Sequence, residues 1–205
     1  MRFKLAPTPL VAILRGVKPD EAEAIAAVII EAGFGAIEVP LNSPEPLASI
    51  EKLARRFGDR VLVGAGTVLE PHQVDEVAAA GARLVVAPNA DRAVIGHAAK
   101  LKLVVLPGVA TMTEAFVALK AGASGLKLFP GDALGPEIVR AWRSVLAKET
   151  QLYPVGGVTP ERIDPYRRAG ANGFGIGSAL YKPGASVDEV ARAAQVFVKA
   201  WNEAG

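Results

Sequence analysis

The chain has 205 residues, of which 51% are hydrophobic and 21% are charged, and its 23 basic and 21 acidic side chains leave a formal net charge of +2. This length and apolar content predict one domain, residues 1–205, with a full hydrophobic core, and exclude a disordered chain. The chain has no cysteine, which excludes a disulfide framework and a thiolate nucleophile, and its two histidines are too few to suggest a protein-ligated zinc site.

The charges are spread along the chain, so no basic patch indicates binding to nucleic acid or to a membrane surface. The longest stretch without a charged residue, 169–181, has 13 residues and is rich in glycine, which makes it too short to span a membrane. Residues 1–9 lack the long apolar segment of a secretory signal. These features predict a cytoplasmic protein.

The 21 glycines and 15 prolines punctuate the chain at nearly regular intervals. An Ala-Gly pair followed by an apolar run occurs four times, with its glycine at Gly33, Gly81, Gly122 and Gly170. Each pair predicts a helix end at which glycine adopts a positive φ, and each apolar run predicts a buried parallel strand. The four glycines lie 48, 41 and 48 residues apart, a spacing that corresponds to two strand-plus-helix units each time.

Eight such units are expected along the chain. The predicted strands are 10–15, 36–41, 61–67, 84–88, 104–108, 125–129, 152–156 and 173–178. Helix-start patterns, with a first-turn proline or a capping box, occur at 18–21, 43–45, 70–71, 111–114 and 159–161. Eight units of about 26 residues each predict a compact α/β fold, the (β/α)8 or TIM barrel. The alternative is an open doubly wound sheet, but its candidate nucleotide fingerprint at 64–66 lacks the third glycine.

Charged residues within the predicted strands point to an active site, because active groups of such barrels lie at the strands' C-terminal ends. Lys127 interrupts the apolar sequence Gly-Leu-Lys-Leu-Phe-Pro, and Glu38 interrupts Ala-Ile-Glu-Val-Pro. Burial lowers the pKa of a lysine and so supplies a neutral amine that can form a Schiff base with a ketone. We therefore predict that Lys127 is a nucleophile and that Glu38 transfers protons across the barrel mouth. The alternative is a lysine paired with an interior carboxylate only to satisfy its charge.

Two further polar residues end predicted strands. Arg15 is expected to orient Glu38 or to hold a substrate carboxylate, and the alternative is an ion pair with Glu38 that only satisfies buried charge. Thr67 offers a hydroxyl group next to the small residues 64–66, which permit a close approach of ligand, although glycines in a strand also serve packing.

The seventh and eighth predicted strands end in glycine-rich segments that contain Gly156, Gly157, Gly177 and Ser178. Their backbone N–H groups predict a phosphate site, because the loops after strands seven and eight bind phosphate in many barrels of this fold. The alternative is that these glycines only turn the chain.

Three segments carry a resemblance to a known family: 13–16 (Ile-Leu-Arg-Gly), 37–44 (Ile-Glu-Val-Pro-Leu-Asn-Ser-Pro) and 125–130 (Gly-Leu-Lys-Leu-Phe-Pro), supported by 64–68 and 155–158. Together they resemble the bacterial 2-keto-3-deoxy-6-phosphogluconate (KDPG/KHG) aldolase family over nearly the whole chain. The resemblance implies a class I, Schiff-base aldolase that uses no metal or other cofactor. It further implies a phosphorylated sugar acid as substrate and a homotrimer as the assembly.

The resemblance also implies roles for individual residues, with Lys127 as the Schiff-base lysine and Glu38 as the general acid/base. The residues that it implies around the substrate and its phosphate are Arg15, Thr67, Phe129, Gly156, Gly157, Gly177 and Ser178. Asn42 and Val155 stand where phosphogluconate-type members carry arginine and threonine. In this the chain resembles the branch that cleaves 2-dehydro-3-deoxy-6-phosphogalactonate, the C4 epimer, to pyruvate and D-glyceraldehyde 3-phosphate; the gluconate epimer is the alternative substrate.

Two other functions fit the residues without the resemblance. One is a cofactor-free isomerase or epimerase of a sugar phosphate, with Glu38 as base and Lys127 as an electrostatic stabiliser. The other is a phosphate-binding barrel without catalytic activity. Of the three functions, only the aldolase requires a covalent adduct on Lys127.

Overall fold

The computed structural model of the protein describes residues 5–205 and contains eight successive strand-plus-helix units. The expected (β/α)8 fold is confirmed by this arrangement and by the structural similarity given below. Residues 1–4, which belong to the segment considered above for a secretory signal, lie outside the described residues. No helix within residues 5–205 combines the length and the apolar character needed to span a membrane.

Each predicted strand overlaps an observed one. The strands are β1 (Thr8–Ile13), β2 (Phe34–Pro40), β3 (Leu62–Gly66), β4 (Leu84–Val86), β5 (Val104–Leu106), β6 (Gly108–Val109), β7 (Leu126–Leu128), β8 (Leu152–Pro154) and β9 (Phe174–Ile176). The helices are α1 (Ala22–Ala32), α2 (Pro46–Phe57), α3 (Pro71–Ala79), α4 (Arg92–Lys100), α5 (Met112–Ala121), α6 (Pro136–Arg143), α7 (Pro160–Ala169) and α8 (Val187–Glu203). β5 and β6 are two parts of one predicted strand, which Pro107 interrupts because proline has no N–H to donate.

The strands are parallel and form two sheets, with the orders β5-β4-β3-β2-β1-β9 and β6-β7-β8. The chain itself joins the two sheets at Pro107, between β5 and β6. On the other side a bridge between Val155, just after β8, and Gly175 in β9 joins them. The barrel is thus closed, and within residues 5–205 its least paired seam lies between β8 and β9.

Alternate residues of each strand face the helices or the barrel interior. Outward residues such as Ile37 and Val85 join the large core under the helices. A smaller core fills the interior and consists of Leu5, Val11, Ala36, Leu84, Val86, Leu106 and Tyr153. Glu38 lies two residues after Ala36 on β2, and Lys127 pairs in register with Tyr153, so both ionisable side chains belong to the inward-facing set.

The helix ends follow the glycine pattern. The four Ala-Gly glycines have φ between 88° and 116° and lie at the ends of α1, α3, α5 and α7, as predicted. The helix starts expected at 70–71, 111–114 and 159–161 are also found, with a capping box at Thr111 and Glu114.

Two helices begin later than predicted. α1 begins at Ala22, and residues 19–21 precede it as a turn, in which the Glu21 carboxylate accepts a hydrogen bond from the Lys18 N–H at 3.0 Å. α2 begins at Pro46, because the Ser43 hydroxyl accepts a hydrogen bond from the Gly16 N–H at 2.9 Å instead of capping the helix. That bond joins the loops after β1 and β2 beside the site described next.

Candidate active site

A cavity of about 450 Å³ opens at the C-terminal ends of the strands. Ten of the eleven predicted site residues line it: Arg15, Glu38, Thr67, Lys127, Phe129, Val155, Gly156, Gly157, Gly177 and Ser178. They come from β2, β7 and the segments that follow β1, β3, β7, β8 and β9. The fold therefore gathers into one cavity residues that are up to 163 positions apart, from Arg15 to Ser178.

The eleventh residue, Asn42, does not line the cavity but contacts Arg15 at its mouth. Arg15 Nη1 donates a hydrogen bond to Asn42 Oδ1 at 2.5 Å, and both residues are exposed. Arg15 forms no ion pair with a carboxylate of residues 5–205, so the alternative of an Arg15–Glu38 ion pair is wrong. Asn42 thus fixes the guanidinium at the mouth and leaves its other N–H groups available for an anionic substrate group.

Glu38 is 2% exposed, and its carboxylate lies over Gly66. A Cβ atom at Gly66 would overlap Glu38 Oε2, so only glycine leaves room for the carboxylate there. Oε2 has no hydrogen-bond partner within the described residues. Burial raises the pKa of Glu38 from 4.5 to about 7, while the positive charges of Lys127 and Arg15 act in the opposite direction. A carboxyl group with this pKa can both accept and release a proton near neutral pH.

Lys127 is 7% exposed and points into the same cavity from β7. Burial lowers its pKa, the charge of Glu38 raises it, and the charge of Arg15 lowers it. Its Nζ lies 4.7 Å from the centre of the Phe129 ring, and it forms no ion pair with a carboxylate of the described chain. The alternative of a lysine closed in an interior ion pair is therefore not found, and the amine remains accessible from the cavity.

Thr67 and Val155 occupy strained or tightly packed positions at the cavity wall. Thr67 has φ of 57°, in the left-handed region that is unfavourable for a β-branched residue, and such strain is common at functional sites. Val155 lies between β8 and β9, where a Cβ on Gly175 would come within 2.7 Å of Val155 Cγ2. Gly175 therefore makes room for the Val155 side chain in the cavity wall.

Another part of the cavity wall is built from glycines and a helix start. Gly156 and Gly157 have φ of 105° and 62°, and the Gly131 N–H donates to the Val155 carbonyl at 2.7 Å, which ties this turn to the loop after β7. Thr159, the N-cap of α7, lines the cavity as well. Backbone N–H groups and the N-terminus of a helix favour a bound anion. The glycines therefore turn the chain and also form part of the cavity wall.

Lys182 was not predicted from the sequence, and it also lines the cavity. It lies in an exposed turn after β9, and two neighbours fix that turn. The Tyr181 hydroxyl contacts the Glu21 carboxylate at 2.9 Å, and Pro183 packs against Gly16. This turn has no periodic pattern of apolar residues that would indicate where its side chains point. The one indication in the sequence was a basic residue four positions after Ser178. Lys182 adds positive charge to the cavity wall, which favours an anionic ligand.

The cavity combines an accessible amine, a carboxyl group that titrates near neutral pH, and a glycine-rich wall of the kind that favours an anion. Such a set fits covalent chemistry on the carbonyl group of an anionic substrate. Within residues 5–205 no group of three or more His, Cys, Asp or Glu side chains is placed to hold a metal ion.

Comparisons with known proteins agree with this chemistry. A family model described as KDPG and KHG aldolase matches residues 2–196. The chain is 50% identical over 196 residues to the 2-dehydro-3-deoxy-6-phosphogalactonate aldolase of Escherichia coli strain K12, with 96% of each chain covered.

Two solved structures share the fold over nearly the whole chain. A structure called native KDPGal has a TM-score of 0.96 at 48% identity and covers 99% of this chain and 98% of its own. A cube-shaped cage made by fusing symmetric oligomeric domains has a TM-score of 0.95 at 48% identity and covers 97% of this chain and 73% of its own. The protein therefore belongs to the KDPG and KHG aldolase family, as the motifs around Arg15, Glu38 and Lys127 predicted.

Proposed function

We propose that the protein is a class I aldolase that cleaves 2-dehydro-3-deoxy-6-phosphogalactonate to pyruvate and D-glyceraldehyde 3-phosphate. The observation that carries this proposal is the buried amine of Lys127 in one cavity with Glu38, a carboxyl group whose pKa is about 7. The 50% identity to an aldolase named for this substrate supports the choice of substrate.

The reaction begins when the neutral Lys127 amine attacks the C2 ketone and the resulting carbinolamine loses water to form an iminium. Glu38 removes the proton of the C4 hydroxyl, directly or through water. The C3–C4 bond then breaks, its electron pair moves to the iminium to give an enamine, and glyceraldehyde 3-phosphate leaves. The enamine takes a proton at C3, and water hydrolyses the new iminium to release pyruvate and the free amine.

The two ends of the substrate hold it in register. We assign the C1 carboxylate to Arg15 and the 6-phosphate to Gly156, Gly157, Gly177, Ser178 and the charge of Lys182. This assignment is supported by their presence in one cavity. Binding energy from these remote groups positions the C3–C4 bond between Lys127 and Glu38. Thr67 and Phe129 complete the wall around the reacting carbons.

Asn42 and Val155 are proposed to select the galactonate epimer. Asn42 sets the position of Arg15, and Val155 presents methyl groups to the substrate chain where a threonine would present a hydroxyl. Because the two substrates differ only in configuration at C4, a few such contacts decide between them.

We further propose a cytoplasmic homotrimer. The family resemblance supports the trimer, and the similarity to a cage assembled from symmetric oligomeric domains supports an oligomer. Sedimentation equilibrium at micromolar protein tests this assembly, with an expected mass three times that of the 21.3 kDa chain.

Borohydride reduction in the presence of pyruvate tests the mechanism. The iminium is expected to be reduced to a stable amine, which adds pyruvate less one oxygen atom to the peptide that contains Lys127. Lys127→Met, which keeps the length of the side chain, should yield no adduct and no cleavage. Lys102→Met, which removes an exposed lysine, should yield the same adduct as the wild type. An absence of adduct at every lysine would exclude the aldolase and leave the isomerase or the silent barrel.

Parallel cleavage assays with the two C4 epimers test the substrate. We expect kcat/KM to favour the galactonate epimer, and Val155→Thr to reduce that preference by about tenfold, the effect of one hydrogen bond of average strength. A wild-type preference for the gluconate epimer would contradict the roles given to Asn42 and Val155.

A further inference from the structure

Arg162 lies on α7 behind the glycine turn at 156–158 and does not line the cavity. Its side chain is half-buried, and Nη1 donates a hydrogen bond to the Gly157 carbonyl at 2.8 Å. Nη2 donates to the Tyr166 hydroxyl at 3.2 Å, and the guanidinium carbon lies 5.5 Å from the centre of the Tyr166 ring. Two hydrogen bonds and one ring contact therefore fix the guanidinium against the back of the turn.

The bond to Gly157 orients a complete peptide unit. In a planar trans peptide the carbonyl and the next N–H point in opposite directions. With the Gly157 carbonyl held toward Arg162, the Val158 N–H points away from Arg162. Gly157 and Val158 line the cavity whereas Arg162 does not, and the Val158 N–H has no acceptor within the described residues. We infer that this N–H is directed toward the cavity.

Gly157 needs such an external restraint. Its φ of 62° leaves it in a region where glycine is flexible, so the turn alone does not determine the direction of its carbonyl. Tyr166 extends the restraint, because its buried hydroxyl contacts the Gly131 carbonyl at 2.6 Å. Gly131 in turn donates to the Val155 carbonyl at 2.7 Å. These hydrogen bonds thus connect α7 with the loops after β7 and β8, through Arg162, Tyr166 and Gly131.

We propose that Arg162 is a positioning residue for the substrate phosphate: it holds the Gly157 carbonyl out of the cavity so that the Val158 N–H donates to a phosphate oxygen. This inference rests on the proposed function for the identity of the ligand. It does not require Arg162 to touch the substrate.

Arg162→Met tests the inference, because methionine keeps an apolar stem against Tyr166 but cannot donate to Gly157. We expect KM for the phosphorylated substrate to rise by about tenfold, the effect of losing one charge-assisted hydrogen bond, with kcat changed by less than about twofold. The Kd of inorganic phosphate, measured by calorimetry, should rise by the same factor. Arg162→Lys should restore part of the affinity, because its ammonium still donates a hydrogen bond.

Arg168→Met is the matched control, since Arg168 lies on the same helix, is exposed and pairs with Asp164 rather than with the turn. It should leave KM and the phosphate Kd unchanged, and trapping of pyruvate on Lys127 should be normal in both methionine variants. An unchanged phosphate Kd in Arg162→Met, or an equal rise in Arg168→Met, would overturn the inference. Failure of the wild type to trap pyruvate would overturn the proposed aldolase instead, while calorimetry would still test Arg162.

Discussion

At the scale of single residues, the surroundings of Glu38 are unfavourable for its ionised form. The carboxyl group is buried, one of its oxygens has no hydrogen-bond partner within the described chain, and its pKa is raised to about 7. Desolvation of this kind is unfavourable once the group is charged. The proton transfer expected of Glu38 therefore conflicts with the stability of the fold above neutral pH.

Glu38→Gln should separate these two effects. The folded pKa of about 7 exceeds the ordinary value of 4.5, so the wild type loses stability as pH rises from 4.5 to about 7, by up to about 3 kcal/mol. Glutamine cannot ionise, and urea denaturation should show the variant's advantage growing across that pH range and then remaining constant. Cleavage should fall by about 10²–10⁴-fold. An advantage that is independent of pH would contradict the raised pKa.

The sequence predicted those site residues whose chemistry conflicts with their surroundings. Lys127 and Glu38 were found because a charge interrupts an apolar strand, and both line the cavity. The small residues 64–66 were expected to allow a close approach of ligand, but the contact of Gly66 with Glu38 and the contribution of Arg162 were not predicted. The space that Gly66 leaves is needed by Glu38, which is distant in sequence. The contact of Arg162 with the Gly157 carbonyl depends on the direction of a peptide group, which no sequence pattern shows.

At the scale of elements, the Ala-Gly pairs predicted the helix ends more accurately than the capping patterns predicted the helix starts. A glycine with positive φ is a local requirement, so the Ala-Gly ends are visible in the sequence. The start of α2 depends on a tertiary hydrogen bond, from the Gly16 N–H to the Ser43 hydroxyl, which no local pattern contains.

Substitutions of two glycines test whether glycine is required at the helix end but not in the helix interior. Gly33 ends α1 with φ of 116°, and an added Cβ would meet no atom closer than 3.6 Å, so Gly33→Ala introduces backbone strain without a clash. We expect it to lower the free energy of unfolding by about 1–2 kcal/mol. Gly96 lies inside α4, where an added Cβ would have its nearest neighbour at 3.9 Å. Gly96→Ala should therefore raise stability by about 1 kcal/mol. Urea denaturation measures both, and effects of the same sign would contradict the argument.

At the scale of the whole molecule, the proposed phosphate site lies across the weakest seam of the barrel. Within the described residues, β8 and β9 are joined by the bridge between Val155 and Gly175 and by the hydrogen bond from the Asn172 N–H to the Leu152 carbonyl, whereas β2 and β3 pair along five positions. The glycines proposed to bind phosphate follow these two strands. A bound phosphate would therefore connect the two sides of the seam.

Hydrogen exchange should detect this connection. Peptides from 152–158 and 173–178 are expected to exchange faster than those from β1 and β2, because fewer hydrogen bonds hold their seam closed. Inorganic phosphate at a hundred times its Kd should slow exchange in both peptides by about a hundredfold, since opening the seam releases the ligand. Mass spectrometry with and without phosphate measures this, with sulfate-free chloride at equal ionic strength as the control. Slowing of one peptide without the other would show that the ligand does not bridge β8 and β9. Equal slowing in all peptides would show that phosphate stabilises the barrel as a whole rather than its seam.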